Sequence, residues 1–289
     1  MNEPKIHKSV MVDEAVTELH IKSQANYIDA TLGTGGHAFE ILKNGGRVLG
    51  IDMDPEMIKI AKERLSKEFD GENFKLVNDN FVNIDSIAKE NGWTNVDGIL
   101  FDLGVSNLHL KDLERGFSFE NPESDLDMRL NSNSQGVKAS DLLNVLRGDQ
   151  LTEMFMVTVD PGPARWLSSR ILKSRELAKI ETVGDFLEIC KGLRTGKTGL
   201  SEATLPFLAL RIAVNSELDN LRVVLPKAYE VLGNGGRMVV ISFHSGEDRI
   251  VKDFIKDSEI TTPSQEEIYE NPRARSAKMR VIEKKDYIK

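Results

Sequence analysis

Residues 27 to 38 read Tyr-Ile-Asp-Ala-Thr-Leu-Gly-Thr-Gly-Gly-His-Ala, an apolar strand pattern that passes through a glycine-rich turn into a helical pattern. In that context backbone N–H groups and the positive end of a helix can meet a negative ligand group. Gly33, Gly35 and Ala38 also satisfy Gly-x-Gly-x-x-Gly/Ala, the pattern of a dinucleotide turn. Asp29 separates the two readings. It stands inside the strand, four positions before Gly33, where a dinucleotide-binding strand is wholly apolar. A carboxylate there suits a cationic ligand such as S-adenosylmethionine, which carries an ammonium and a sulfonium. The competing reading is a plain strand-helix turn with Asp29 as a local cap.

Outward from this stretch, short apolar runs alternate with helical patterns, the sequence form of βαβ units and a parallel sheet. After the strand Tyr27 to Leu32 and a helix from His37 to Lys43, a second strand is expected over Arg47 to Asp52. Pro55 then suits the first turn of a helix with Met57, Ile58, Ala61 and Leu65 at helical spacing. Phe74 to Val77 reads as a third strand, Val96 to Leu103 as a central fourth, and Arg237 to Phe243 as a fifth. A strand-helix-strand crossover needs about 30 residues. Asp102 and Arg237 stand much farther apart, so a small helical lobe is expected over 110–205, inserted into a discontinuous α/β domain of 1–109 and 206–289. The stripe Leu210, Val214, Leu218, Leu221 and Leu225 predicts one long helix ended by Pro226. Thr195 to Ser201 reads as an exposed, mobile linker.

The chain has 289 residues and a formal net charge of −8, so nucleic-acid contact requires a local basic patch. Its single cysteine, Cys190, excludes disulfide scaffolds and multi-thiolate zinc sites and fits a reducing cytoplasm. No run approaches the ~18 apolar residues of a membrane span, so a soluble, cytoplasmic protein without a bound metal is expected.

Asp52 ends the second strand about where an acidic residue accepts ribose hydroxyls, while Asp54 suits a cap on the next helix. Phe81, in Asn78-Asp-Asn-Phe, stands where a ring could hold adenine or simply pack in the core. Asp102 lies at the carboxyl edge of the central strand, where open α/β sheets bind ligands; it is the candidate reaction centre, with loop capping as the alternative. His244 and Ser245, after the fifth strand, are candidates for the target pocket, although Ser245 with Asp248 also reads as a helix-start pair. His7 is a further pocket candidate or a solvated histidine. Arg211 and Asn215 share a helix face and could meet RNA or pin the helix. Arg273, Arg275, Lys278 and Arg280 form a basic patch suited to phosphate. A second basic region, Arg165, Arg170, Lys173 and Arg175, lies in the lobe.

Several stretches, in order, resemble the RsmH (MraW) family of ribosomal RNA methyltransferases. They include His7 to Ala15, Asp29-Ala-Thr-Leu-Gly-Thr-Gly-Gly-His, Gly50-Ile-Asp-Met-Asp-Pro, Asp102-Leu-Gly-Val-Ser, Arg115-Gly-Phe-Ser-Phe and Asp125-Leu-Asp-Met-Arg. Leu210 to Leu218, Gly235 to Ser245, Glu247 to Lys252 and Asn271 to Arg280 continue the match. The resemblance implies a class I S-adenosylmethionine-dependent methyltransferase fold, Rossmann-like and mostly parallel, with an inserted helical domain for substrate recognition. It implies cofactor contacts at Gly35, Gly36, His37, Asp52, Phe81, Asp102 and His109. The implied reaction is methylation of the exocyclic 4-amino group of a cytidine in 16S rRNA, near the decoding centre and within the small ribosomal subunit. Neither DNA nor a membrane is an expected partner, and a homodimer is left open. Departures fall at Ser9, at Asn107 to Lys111, at Gly246, and in the lobe at Thr158 to Pro163 and Leu205 to Leu208. They leave open a methyltransferase for another RNA, a protein or a small molecule, and a non-catalytic ribosome-assembly factor that keeps the cofactor pocket.

Overall fold

The structure is a computed structural model that describes residues 9–196, 199–256 and 258–285; His7, and Lys197 and Thr198 of the expected linker, lie outside the described residues. In chain order the elements begin with α1 (Val12–Leu19), β1 (Asn26–Asp29), α2 (Gly36–Lys43), β2 (Arg47–Asp52), α3 (Pro55–Leu65) and β3 (Phe74–Asn78). They continue with α4 (Ile84–Glu90), β4 (Val96–Asp102), α5 (Asn107–Lys111), α6 (Ala139–Val145), α7 (Gly148–Phe155), α8 (Pro161–Leu177), α9 (Val183–Cys190) and α10 (Thr204–Val214). The chain then runs through α11 (Glu217–Val231), β5 (Leu232–Ser242), α12 (Ser245–Phe254), α13 (Gln265–Glu270) and β6 (Lys278–Glu283).

The strands form a six-stranded sheet in the order β3-β2-β1-β4-β5-β6, parallel except for β6, which runs antiparallel to β5 at the edge. Period-two alternation sends successive residues to opposite faces. On one face Ile28, Ile99, Phe101 and Val240 pack with Ile84, Leu221, Val224, Leu225 and Val251 of α4, α11 and α12. On the other, Tyr27, Leu100, Val239 and Ile241 pack with Leu19, Ile41, Ala61 and Leu65 of α1, α2 and α3. Burial on both faces explains why these strands read as continuous apolar runs.

Contacts divide the chain into two compact units, one reaching to Gly104 and resuming at Leu218, the other Val105–Glu217. The second unit is wider than the expected 110–205. The reason is packing: Leu205, Phe207, Ala209 and Leu210 of α10 enter the same helical core as Phe155, Phe186 and Leu167, and the Phe207 ring stands edge-on to Phe119 at 4.6 Å. The diverged stretches of this unit touch one another, the Thr158 hydroxyl donating to the Leu205 carbonyl at 2.8 Å. The Arg115 and Asp125 motifs are scaffold here. Arg115 donates to the carbonyls of Arg129 and Leu130, and a Cβ on Gly116 would stand 2.5 Å from the Asp125 carbonyl oxygen.

Two expectations are corrected. The single helix ended by Pro226 is two helices, because Ser216 takes a left-handed φ of 50° between α10 and α11. Pro226 lies inside α11, whose buried Leu218, Leu221, Val224, Leu225 and Ala228 hold the helix across it. The supposed basic tail contains β6: Met279 and Arg280 are buried, and Val240 pairs with Arg280. No helix among the described residues is long and apolar enough to cross a membrane.

Asn215 pins the second unit internally rather than offering its side chain to RNA. It is buried, accepts from the Leu130 N–H at 3.1 Å and donates to the Met128 and Arg211 carbonyls at 2.9 Å. Asn215→Ala strands these groups and is expected to cost about 2–3 kcal/mol of stability; a denaturant midpoint equal to wild type contradicts the assignment.

Candidate cofactor and reaction site

The carboxyl ends of β1, β2 and β4 bring Asp29, Asp52 and Asp102 to the same sheet edge. The turn after β1 is shaped by Gly35, at φ 76°, where a Cβ would stand 3.3 Å from that of Ala61. Gly33 has φ 51°, and its N–H donates to Asp52 Oδ2 at 2.7 Å. Gly36 opens α2, where a Cβ would fall 2.0 Å from the Ser9 hydroxyl. The other oxygen of Asp52 accepts from the Asp54 N–H at 2.8 Å. Asp54 in turn caps α3 through the Glu56 N–H, with Pro55 in the first turn. Asp52 therefore braces the glycine turn whatever else it holds.

Asp29 and Asp102 are different. Asp29 is 1% exposed; its Oδ1 accepts from Thr31 N–H at 3.3 Å, while its Oδ2 is buried without a hydrogen-bond partner. Burial pushes this carboxyl up to about 7; the Thr31 N–H opposes the rise, the Asp52 charge adds to it, and the Ala38 N–H opposes it. Asp102 donates its own N–H to the Thr31 hydroxyl at 2.6 Å, and its Oδ1 is also buried without a partner. Burial, then the charges of Asp29, Glu247 and Glu267, holds it well above the usual carboxylate range. His37, 3% exposed, places Nε2 3.1 Å from the Val10 carbonyl and Nδ1 3.7 Å from Asp102 Oδ2. The Val10 carbonyl can only accept, so Nε2 donates to it and Nδ1 is the ring atom that faces Asp102.

Two orphaned buried carboxyl oxygens call for positive charge or N–H donors. S-adenosylmethionine fits that demand, because it brings an ammonium, a sulfonium and an amine donor. A dinucleotide pyrophosphate would set negative charge against it. Phe81 is half-buried with its ring edge-on to Phe101 at 5.9 Å, a position compatible with both readings given it.

His109 belongs to the second unit, where it is 4% exposed; its Nδ1 accepts from the Ser106 N–H at 3.0 Å and its ring lies 5.5 Å from Phe117. His244, not Ser245, caps α12: its Nδ1 accepts from the Gly246 N–H at 3.2 Å, which commits the lone pair a catalytic base would need. Ser245 is an exposed first-turn residue, so the capping reading does not hold it. Asp248, instead of pairing with Ser245, accepts from Lys278 at 3.0 Å and Arg280 at 2.9 Å. Arg280 is 4% exposed, so it leaves the proposed phosphate patch, and Lys278 is held at its edge. Arg273 and Arg275 are exposed. Arg211 makes a two-point ion pair with Glu217 at 2.8 and 2.9 Å.

Glu247 was missed. It is 3% exposed, accepts from the N–H groups of Phe243 and His244, and its charge reaches Asp102. The signal was His244-Ser-Gly-Glu247, a cap residue followed three positions later by Glu.

This sheet order with an antiparallel edge strand, the glycine turn and the acidic sheet edge define a Rossmann-like fold of the class I methyltransferase type. The chain belongs to the MraW methylase family, whose model matches residues 5–262. It is 42% identical to the ribosomal RNA small subunit methyltransferase H of Dictyoglomus thermophilum, with 97% of each chain covered. With the protein of the same name from Methylacidiphilum infernorum it shares 39% identity over 96% of this chain and 94% of that one. A solved structure described as a putative rRNA-methylase from Clostridium thermocellum is similar at 14% identity and a TM-score of 0.47, covering 96% of this chain and 98% of that one.

Proposed function

We propose that this protein transfers a methyl group from S-adenosylmethionine to the exocyclic 4-amino group of a cytidine in small-subunit ribosomal RNA, near the decoding centre. The observation that carries the chemistry is the pair of buried, unpartnered carboxyl oxygens on Asp29 and Asp102. The rRNA target is supported by the names of the relatives. When bound, the cofactor supplies an electrophilic methyl group on a sulfonium centre.

The chain's own residues do the rest. Asp29 balances the cofactor's positive charge, and Asp52 accepts ribose hydroxyls while bracing Gly33. The amine lone pair of cytosine is delocalised into the ring, so the target must be aligned rather than activated by a covalent nucleophile. The Asp102 carboxylate would accept an N–H of that amine and so orient it for transfer. Once the nitrogen carries the methyl group, its surplus proton would pass to the Asp102 carboxylate, whose raised affinity for protons suits it as the first acceptor. Cys190 takes no part: it is buried in α9, and burial pushes its thiol up to about 12.

Asp52→Ala is expected to weaken cofactor binding by about 1–3 kcal/mol through lost hydrogen bonds; unchanged calorimetric affinity removes Asp52 from the site. The target is tested by mass spectrometry of rRNA nucleosides from a strain lacking the gene, with and without its restoration. The expected result is loss and return of N4-methylated cytidine, and an unaltered nucleoside profile contradicts it.

A further inference from the structure

The helix α8 of the second unit has one apolar face, with Ala164, Leu167, Ser168 and Ile171 buried. A helix turns 100° per residue, which places Trp166, Ser169 and Lys173 along the opposite line, beside Arg165 and Arg170. Trp166 is 38% exposed, whereas the other tryptophan, Trp93, is 7% exposed. The Arg170 guanidinium lies 4.9 Å from the Trp166 ring centroid and donates to the carbonyls of Lys191 at 2.6 Å and Glu188 at 3.2 Å. The arginine is thus locked by backbone and fixes one side of the indole. Arg165 and Lys173 are exposed, while Arg175 is spent internally on the carbonyls of Leu143 and Leu146. Glu176 is the one acidic residue of the helix.

We propose that this face of α8 is a docking platform for single-stranded RNA, with an unpaired base stacking on Trp166 and phosphates meeting Arg165 and Lys173. The proposal rests on the RNA-methylating reading above and adds where the RNA is held. An aromatic ring among cations is how a sequence-tolerant single-strand site is built, because every base offers a π-face and the backbone offers charge. The charge argues for a polyanion: three basic residues, Arg165, Arg170 and Lys173, against Glu176 on this side of the helix, in a chain of net charge −8, make it a local exception. Bracing of Arg170 before any ligand arrives lowers the ordering cost of binding.

The full-length protein is titrated with a short fluorescein-labelled single-stranded oligocytidine, following anisotropy and tryptophan fluorescence together. RNA is expected to quench wild-type emission, and Trp166→Phe, which retains only Trp93, is expected to bind without quenching. Trp166→Ala is expected to raise Kd about tenfold with cofactor affinity unchanged, and Trp166→Phe to restore most of the loss. Arg165→Ala and Lys173→Ala are each expected to reduce the salt slope by about 0.7. Anisotropy reporting RNA binding without quenching, or Trp166→Ala binding as wild type does, overturns the platform, leaves the methylation reading standing and assigns the face to another partner. A wild-type protein that binds neither this probe nor small-subunit rRNA overturns both.

Discussion

Asp102→Ala is expected to lower the single-turnover rate of methyl transfer by about 10²–10³-fold, the range for loss of an aligned acceptor or general base. Three features of Asp102 converge on this size of effect. It ends β4 at the centre of the sheet, its Oδ1 is buried with no partner, and its other oxygen faces His37 Nδ1 at 3.7 Å. Folding should tolerate the change, because removal of a desolvated carboxyl relieves repulsion from Asp29 and Glu247. Asp102→Asn keeps an oxygen acceptor but cannot take a proton, so it separates alignment from proton acceptance. A rate between those of wild type and alanine assigns part of the effect to each. Cofactor affinity, measured by calorimetry on the same variants, must change far less than the rate; an unchanged single-turnover rate in Asp102→Ala removes the residue from the reaction centre.

The second large effect is a pH linkage at Asp29. Its carboxyl is held at about 7 in the folded protein, against about 3.9 for an unperturbed aspartate. A raised folded value means the native state retains a proton that the unfolded chain has released. The stabilisation is therefore complete below pH ~3.9 and is lost as pH rises through about 7. Binding of a cation requires the ionised form. Cofactor affinity should accordingly rise up to about tenfold per pH unit below neutrality and level off above it. Asp29→Asn removes both behaviours: the cofactor-free protein should gain on the order of 4 kcal/mol at pH 8, while cofactor binding weakens by about 2 kcal/mol. Because Asp29 and Asp102 repel one another, the apparent values belong to the pair, and the diagnostic is the difference in slope between wild type and variant. Identical slopes would falsify the assignment of Asp29 as the counter-charge.

The parts of the molecule legible in the sequence are those where local chemistry and tertiary demand agree. The strands around Asp29, Asp52 and Asp102 declare themselves because both faces are buried, and the glycine turn because a left-handed backbone at Gly35 excludes most other residues. β6 was hidden by its own charges: Lys278 and Arg280 read as part of a phosphate-binding patch until Asp248, some thirty residues away in sequence, is seen to accept from both. The same long-range partner dissolved the Ser245–Asp248 capping pair. The break at Ser216 was invisible because an apolar stripe is continuous across it, and only the positive φ separates the helices. Arg211 and Asn215 show the general difficulty: residue type marks them as capable of meeting a ligand, yet their partners, Glu217 and the Met128 to Leu130 backbone, come from folding.

The central claim is methyl transfer to a cytidine amine. The most direct measurement incubates the purified protein with S-adenosylmethionine carrying a deuterated methyl group and small ribosomal subunits from a strain lacking the gene, followed by nucleoside mass spectrometry. The expected result is deuterated methyl on the 4-amino group of cytidine, absent with Asp102→Ala. Label appearing on another nucleoside, on ribosomal protein, or nowhere in the subunit contradicts it.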